Sequence, residues 1–378
     1  MNVLIAVTHL LGTGHLARAL TLARAFVAQG HKVQILSGGG PAPQLDHSGV
    51  DLLQLPPLRS DGVDFTRLLT PDGSVADELY HHSRRDMACV ALQTMQPDVL
   101  ITELYPFGRR SLRAEFNALL EAAHHLPRRP IVLASIRDIL APPSKPKKAE
   151  QAEEIISRYY DGVLVHSDPQ ATRLEVSWPV SPALAAKLHY TGYVAPAAPT
   201  PHPDGAGAGE ILVSAGGGSV GDALYRAAIE ASTLRPDLTW RLLVGGADAK
   251  SRIDDLKDPT APAILEPARP DFRQMLCHAK ASVSMCGYNT ALDLLQTGLP
   301  AVIVPFDAGN EVEQSLRAQS LAPLDGFATL RAKELTGKTL CQSLDSVLAA
   351  PVRNCDSFRF DGAARTVEIA ANMAQERA

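Results

Sequence analysis

Short apolar runs alternate with stretches of helical period along most of the chain. Residues 2–8 form the first run, and Leu16, Leu20, Ala23 and Val27 then repeat at helical spacing up to Gly30. Residues 32–37 form a second run, closed by Gly38-Gly39-Gly40-Pro41. Further strands are expected at 99–102, 131–135 and 162–166, and a helix over 77–95. Residues 51–76 mix Pro, Gly and Asp with short apolar pieces and read as long loops, while 142–154 read as an exposed loop entering a helix. A second series opens with strands at 211–214 and 240–244 and a helix from about Ala223. It continues with a strand at 281–285, a helix carrying Leu292, Leu294 and Leu295 to Gly298, and a strand at 300–305. A helical segment over 362–377 ends the pattern. Strands that alternate with helices predict parallel sheets of the α/β class. Proline and glycine dominate 196–209, where no apolar period survives. The expected division is a first domain over 1–195, a linker over 196–209, a second domain over 210–355 and a C-terminal helical segment over 356–378.

Composition narrows the class. A chain of 378 residues suits two domains, and 46% hydrophobic with 20% charged residues can fill two cores. A formal net charge of −5 supplies no global basic field for nucleic acid. No run of about 18 apolar residues is present to span a bilayer, and the opening residues lack a basic region and a cleavage site. Cys89, Cys277, Cys286, Cys341 and Cys355 show neither Cys-x-x-Cys spacing nor a zinc pattern, and read as reduced thiols of a cytoplasmic protein. No Asp-x-Asp motif is present, so no metal and no cofactor are expected.

Polar residues gather where the expected strands end. After the first strand comes Gly12-Thr13-Gly14-His15. Ala17 replaces the third glycine of a dinucleotide fingerprint, and the Gly-Lys-Ser/Thr ending of a P-loop is missing. A histidine at a helix start can serve as a general base, because its pKa lies near neutrality and the helix dipole disfavours imidazolium. The bland alternative is a helix residue bonded to a carbonyl. Glu103 directly follows another strand and can bond the second ring nitrogen of such a histidine, or pair with Arg109 or Arg110. Arg137 and Asp138 end a third strand, where they line a substrate site or pair with each other. His81, His82, Arg84 and Arg85 read as a solvated helix face. In the second series, Gly216, Gly217, Gly218 and Ser219 let the backbone approach a diphosphate. Gly287 precedes Asn289-Thr290, expected to cap a helix whose N-terminus suits an anion. Glu313-Gln314 follow in the loop after the next strand.

The order Gly287-Tyr288-Asn289-Thr290, an acid at Asp293, Gly-Leu-Pro and then Glu313-Gln314 resembles the nucleotide-sugar signature of GT-B glycosyltransferases. Blocks such as THLLGTGH, SIRDIL and HYTGYV extend the likeness over nearly the whole chain. They resemble bacterial predicted glycosyltransferases related to the peptidoglycan N-acetylglucosaminyltransferase. This resemblance implies two Rossmann-like domains facing across a cleft, with the C-terminal helix crossing back to the first. It implies inverting, metal-independent transfer from a UDP-sugar, UDP-GlcNAc-like, to an unidentified hydroxyl acceptor. His15 would be the base and Glu103 its partner. The diphosphate would lie on Gly216–Ser219 and on the helix after Gly287, with Tyr288, Asn289 and Thr290 beside it, and the ribose on Asp293, where the family usually has Glu. Sugar hydroxyls fall to Glu313 and Gln314, and Arg269 lies near the uracil. Gly12, Thr13, Gly14, Arg137 and Asp138 form the acceptor set. The implied partners are a UDP-sugar and a lipid-linked or small-glycan acceptor, without nucleic acid, and with at most peripheral contact at the inner face of a membrane. Gly-Thr-Gly-His-Leu-Ala-Arg also resembles nucleotide-sugar hydrolases of the same fold, in which water replaces the acceptor. A nucleotide-sugar 2-epimerase and a sensor that binds without turnover are the remaining alternatives.

Overall fold

The computed structural model describes residues 1–60, 67–216, 220–246, 248–307 and 312–377. The chain divides into two compact units. The first comprises Met1–Pro169, Trp178–Val194 and the C-terminal segment from Asp361; the second comprises Gln170–Ser177 and Ala195–Phe360.

Seven strands form the sheet of the first unit: β1 (Asn2–Val7), β2 (Lys32–Ser37), β3 (Asp51–Gln54), β4 (Val99–Glu103), β5 (Ile131–Arg137), β6 (Gly162–His166) and β7 (Leu188–Tyr190). Their order is β3-β2-β1-β4-β5-β6-β7, and every pairing is parallel. The central strands are continuous apolar runs because helices cover both faces. Residues 51–54, expected within a loop, instead form the edge strand β3, paired with β2 from Gln34↔Asp51 to Ser37↔Gln54. Four residues with one apolar pair are too few to show a period.

The order reverses between β1 and β4, and such switch points open a crevice at the carboxyl ends of the strands. The loop after β1 leads into the helix Gly14–Ala28, whose Leu16, Ala19, Leu20, Leu22, Ala23 and Phe26 are buried. The C-terminal helix Gly362–Arg377 packs on that helix within the same unit. It enters tightly: the Gly362 amide donates to Tyr193 O at 3.0 Å, and a Cβ on Gly362 would meet Gly192 O at 2.4 Å.

The helix Glu78–Met95 corrects one reading of its polar face. Asp77 caps it by accepting from the Tyr80 amide at 2.8 Å. Arg84 is fully buried; its Nε and Nη2 donate to Glu115 at 2.8 and 2.9 Å, and Nη1 donates to Gly38 O at 3.0 Å. Arg84 faces inward with Ala88, Ala91 and Leu92, so it is no part of a solvated surface.

The second sheet contains β8 (Ile211–Ser214), β9 (Trp240–Val244), β10 (Ile264–Pro267), β11 (Ala281–Ser284), β12 (Ala301–Ile303) and β13 (Phe327–Thr329). Its order, β10-β9-β8-β11-β12-β13, is again parallel and reverses between β8 and β11. Gly216 follows β8, and Gly287 follows β11, so both residues lie at that switch point. Residues 196–209 are held to this unit by hydrogen bonds. Pro196 O accepts from Gln296 Nε2 at 2.9 Å, and Gly209 N donates to His278 O at 2.8 Å. Among the described residues no helix is long and apolar enough to cross a membrane, and the five cysteines are free.

Candidate active site

In the first unit, β1 and β4 deliver two polar groups to the switch point. His15 opens the helix after β1, and Glu103 is the last residue of β4. His15 Nδ1 lies 2.9 Å from Glu103 Oε1. Arg18, one turn further along the helix, donates Nη2 to the same oxygen and Nε to Oε2 at 3.4 Å. Ser135 Oγ donates to Oε2 at 2.6 Å. The carboxylate is therefore fixed from three sides and is only 2% exposed.

Electrostatics follow from that packing. Burial works to raise the Glu103 carboxyl, but Arg18 and His15 outweigh it and hold the group far below the usual carboxylate range. Burial dominates at His15 and lowers it to about 4, with Glu103 pulling upward and Arg18 and Arg109 pushing down. The imidazole is thus neutral near pH 7. With Nδ1–H turned to the carboxylate, Nε2 keeps a lone pair for a proton. Arg109, pushed down to about 10 by burial, adds positive charge nearby and donates Nε to Thr8 O at 2.6 Å.

Gly12 lies in the loop, Thr13 is the N-terminal boundary residue, and Gly14 is the first helical residue. A Cβ at Gly12 or Gly14 would touch nothing within 4 Å, which leaves open space beside the loop. Arg137 ends β5, half-buried, and Asp138 follows it, 2% exposed.

The second unit builds its site from two helix starts. Gly216 has φ +85, a glycine conformation, while Gly217, Gly218 and Ser219 lie outside the described residues. The helix Asp222–Leu234 begins after Gly221 at φ +95, where a Cβ would come 2.3 Å from Ala215 Cβ. Gly287 precedes the helix Tyr288–Thr297, and no side chain caps it. The expected Asn289-Thr290 cap is therefore corrected: both residues sit inside the first turn, because the helix starts immediately after Gly287. The first-turn amides of a helix have no partner within the helix itself, which suits such an end to an anion.

Asp293 is buried on this helix, and Arg273 Nε donates to its Oδ1 at 2.6 Å. Glu313 and Gln314 open the helix Glu313–Leu321 and do not lie in a loop, a second correction. A negative side chain suits that first turn. Glu313 Oε1 accepts from the buried Arg317 at 3.1 Å, and Gln314 Oε1 accepts from the Phe306 amide at 3.1 Å. Arg317 also donates to Cys286 O at 3.0 Å and lies over the Tyr288 ring, so one guanidinium braces both strand ends. Arg269 forms a double hydrogen bond with Asp271, at 2.8 and 2.6 Å, and stays next to β10.

Two parallel sheets, each with polar strand ends at its switch point, are the architecture of GT-B glycosyltransferases. Residues 212–358 match the Glycosyltransferase family 28 C-terminal domain. That segment covers the second sheet, its glycine loop and the helix bearing Asp293. The chain is 28% identical over 198 residues to the UDP-N-acetylglucosamine--N-acetylmuramyl-(pentapeptide) pyrophosphoryl-undecaprenol N-acetylglucosamine transferase of Granulibacter bethesdensis, covering 50% of this chain and 49% of the relative. The match thus spans about half the length of that relative. Among solved structures, MurG of Acinetobacter baumannii superposes with a TM-score of 0.62 at 17% identity, covering 99% of both chains. The UDP-GlcNAc 2-epimerase of Methanocaldococcus jannaschii superposes at 0.58 and 9% identity, covering 98% of this chain and 100% of that one. These likenesses establish the fold, and the second shows that the fold hosts more than one chemistry.

Sequence reasoning missed Arg18, Ser135, Arg273 and Arg317. Arg18 left a signal, three residues after His15 on one helix face, and so did Arg317, four residues after Glu313 on another. Ser135 and Arg273 reach their partners across strand ends or between helices, and no spacing encodes that.

Proposed function

We propose that this chain is a glycosyltransferase that moves a sugar from a UDP-sugar, UDP-GlcNAc-like, to a hydroxyl acceptor with inversion. The observation that carries this reading is the 2.9 Å contact of His15 Nδ1 with Glu103, on a chain whose residues 212–358 match a family 28 glycosyltransferase domain. His15 Nε2 would take the acceptor proton as the anomeric bond to the diphosphate breaks. Glu103 would hold the tautomer and stabilise the imidazolium that forms. Gly12, Thr13, Gly14, Arg137 and Asp138 would contact the acceptor.

The family 28 domain would bind the donor. Helix amides after Gly287 and the loop from Gly216 would meet the diphosphate and stabilise the departing UDP without a metal. The free oxygen of Asp293 would take a ribose hydroxyl, and Glu313 and Gln314 the sugar hydroxyls. Arg269 is assigned to the uracil region. The Granulibacter relative is described by an undecaprenol-linked acceptor. A lipid-linked acceptor here would bring the protein to a membrane surface as a peripheral, cytoplasmic enzyme; a small glycan would not.

The experiment is a thermal-shift series with UDP, UDP-GlcNAc, UDP-glucose, GDP-mannose and dTDP-glucose. A nucleotide at about 100 times its dissociation constant stabilises the fold by about 2.7 kcal/mol. A UDP-selective shift that disappears in Asp293→Ala supports the donor site. Equal response to every nucleotide, or to none, contradicts it.

A further inference from the structure

Behind Glu103 runs a row of buried polar side chains that the proposed chemistry does not use. β4 and β5 pair Glu103 with Ser135, and β5 and β6 pair Arg137 with His166. β7 ends at Tyr190, opposite Val165, and Thr191 follows it. Alternation along the strands therefore puts Glu103, Ser135 and His166 on one face of the sheet at its carboxyl edge. Ser135, His166 and Thr191 are each 0% exposed.

The row is continuous. Glu103 Oε2 to Ser135 Oγ is 2.6 Å, Ser135 Oγ to His166 Nε2 is 3.0 Å, and His166 Nδ1 to Thr191 Oγ1 is 2.9 Å. Thr191 Oγ1 ends it against Gly192 O at 2.7 Å, with Val165 O further off at 3.4 Å. The two ends, a carboxylate and a carbonyl, only accept hydrogen bonds. Between them stand four contacts. Three protons are available: one on Ser135, one on a neutral imidazole and one on Thr191. One contact must go without.

Which contact is left empty fixes the direction of the row. A hydrogen bond to a carboxylate is roughly twice as strong as one between neutral groups. The Ser135 hydroxyl therefore turns to Glu103, which leaves two orders for the rest of the row. The one that points the His166 Nε2–H dipole at Ser135 and the anion, with Thr191 donating to His166 Nδ1, is favoured over the one that sets the Nε2 lone pair against the Ser135 oxygen beside the carboxylate. The empty contact falls at Gly192, away from the site. Burial keeps His166 neutral, lowering it to about 3, with Arg18 pushing the same way and Glu103 pulling up.

We propose that Ser135 and His166 are positioning residues that hold the Glu103 carboxylate in register with His15, through a row polarised by the Nε2–H tautomer of His166. Its catalytic meaning rests on the reading of His15 as the base. The geometry itself does not, and the test is chosen to stand apart from nucleotide sugars and acceptors.

The measurement is long-range ¹H–¹⁵N NMR on the full chain with ¹⁵N-histidine. In the wild type at pH 7, His166 is expected as the neutral Nε2–H tautomer. In Ser135→Ala, Glu103 loses a donor and pulls harder on the His15 proton, so His15 titrates about half a pH unit higher or more. Arg18 on the same helix and Arg109 after β4 face His15 unchanged in that variant. His166→Gln keeps a donor for Ser135 and leaves the His15 titration at the wild-type value. An Nδ1–H or doubly protonated His166 in the wild type overturns the proposal, and this decides the matter even if a variant does not fold. So does a folded Ser135→Ala protein with unaltered His15 titration, the outcome a purely structural row would give.

Discussion

Arg273 Nε sits 2.6 Å from Oδ1 of Asp293, and its Nη2 bonds Gln296 Oε1 at 2.9 Å and Ala197 O at 3.0 Å. Burial raises the Asp293 carboxyl while Arg273 pulls it back. The arginine thus offsets part of the cost of burying this acid and occupies one of its two oxygens. Arg273→Ala is expected to weaken UDP binding about tenfold, or about 1.4 kcal/mol, by calorimetry. Because the orphaned carboxyl then protonates at higher pH, the loss should be larger at pH 5.5 than at pH 8.

Stability should fall on acidification before the carboxylates titrate. His15 is lowered from 6.5 to about 4 in the folded chain by burial, and His166 is lowered to about 3. Below 6.5 the unfolded chain binds more protons than the folded one, so stability present at neutral pH is lost as the pH approaches 4. His15 alone accounts for about 3 kcal/mol of that loss. Urea unfolding at pH 7.5, 6 and 4.5 should show a falling midpoint, with the largest part of the drop below pH 6.

Arg84 and Glu115 make a buried double hydrogen bond on the far side of the glycine turn after β2. Removing one partner leaves the other charge desolvated. Glu115→Ala is expected to cost about 3–5 kcal/mol in denaturant unfolding, with little dependence on salt. Asp86→Ala, on the exposed side of the same helix beside His82, should cost under about 1 kcal/mol.

How much of this was legible depended on range. The parallel sheets followed from apolar runs such as those of β1 and β5, since a strand covered on both faces has no polar positions to hide. His15 and Glu103 could be placed because each directly follows or ends such a run. Asp51–Gln54 escaped because an edge strand of four residues has no period to display. Asn289 and Thr290 were misread for a local reason: cap-forming side chains were present, but the backbone turns into the helix at Gly287. Arg84 looked solvated because charge signals exposure until a partner is known, and Glu115 lies 31 residues away. Residues 196–209 carry the composition of a free linker, yet Gln296, Arg273 and His278 bind their backbone. Ser135 and His166 belong to the same class of miss, since strand register alone brings them to Glu103.

The central claim is that His15 deprotonates an acceptor while a UDP-sugar gives up its sugar. The most direct measurement follows radiolabelled UDP-GlcNAc with purified protein, with and without the lipid and small-glycan fraction of the native cells. UDP release should require that fraction, the label should pass into a larger product, and His15→Ala should slow turnover by about 10²–10⁴-fold with donor binding intact. Label appearing as free sugar at a rate the fraction does not change, or wild-type turnover in His15→Ala, would contradict the account.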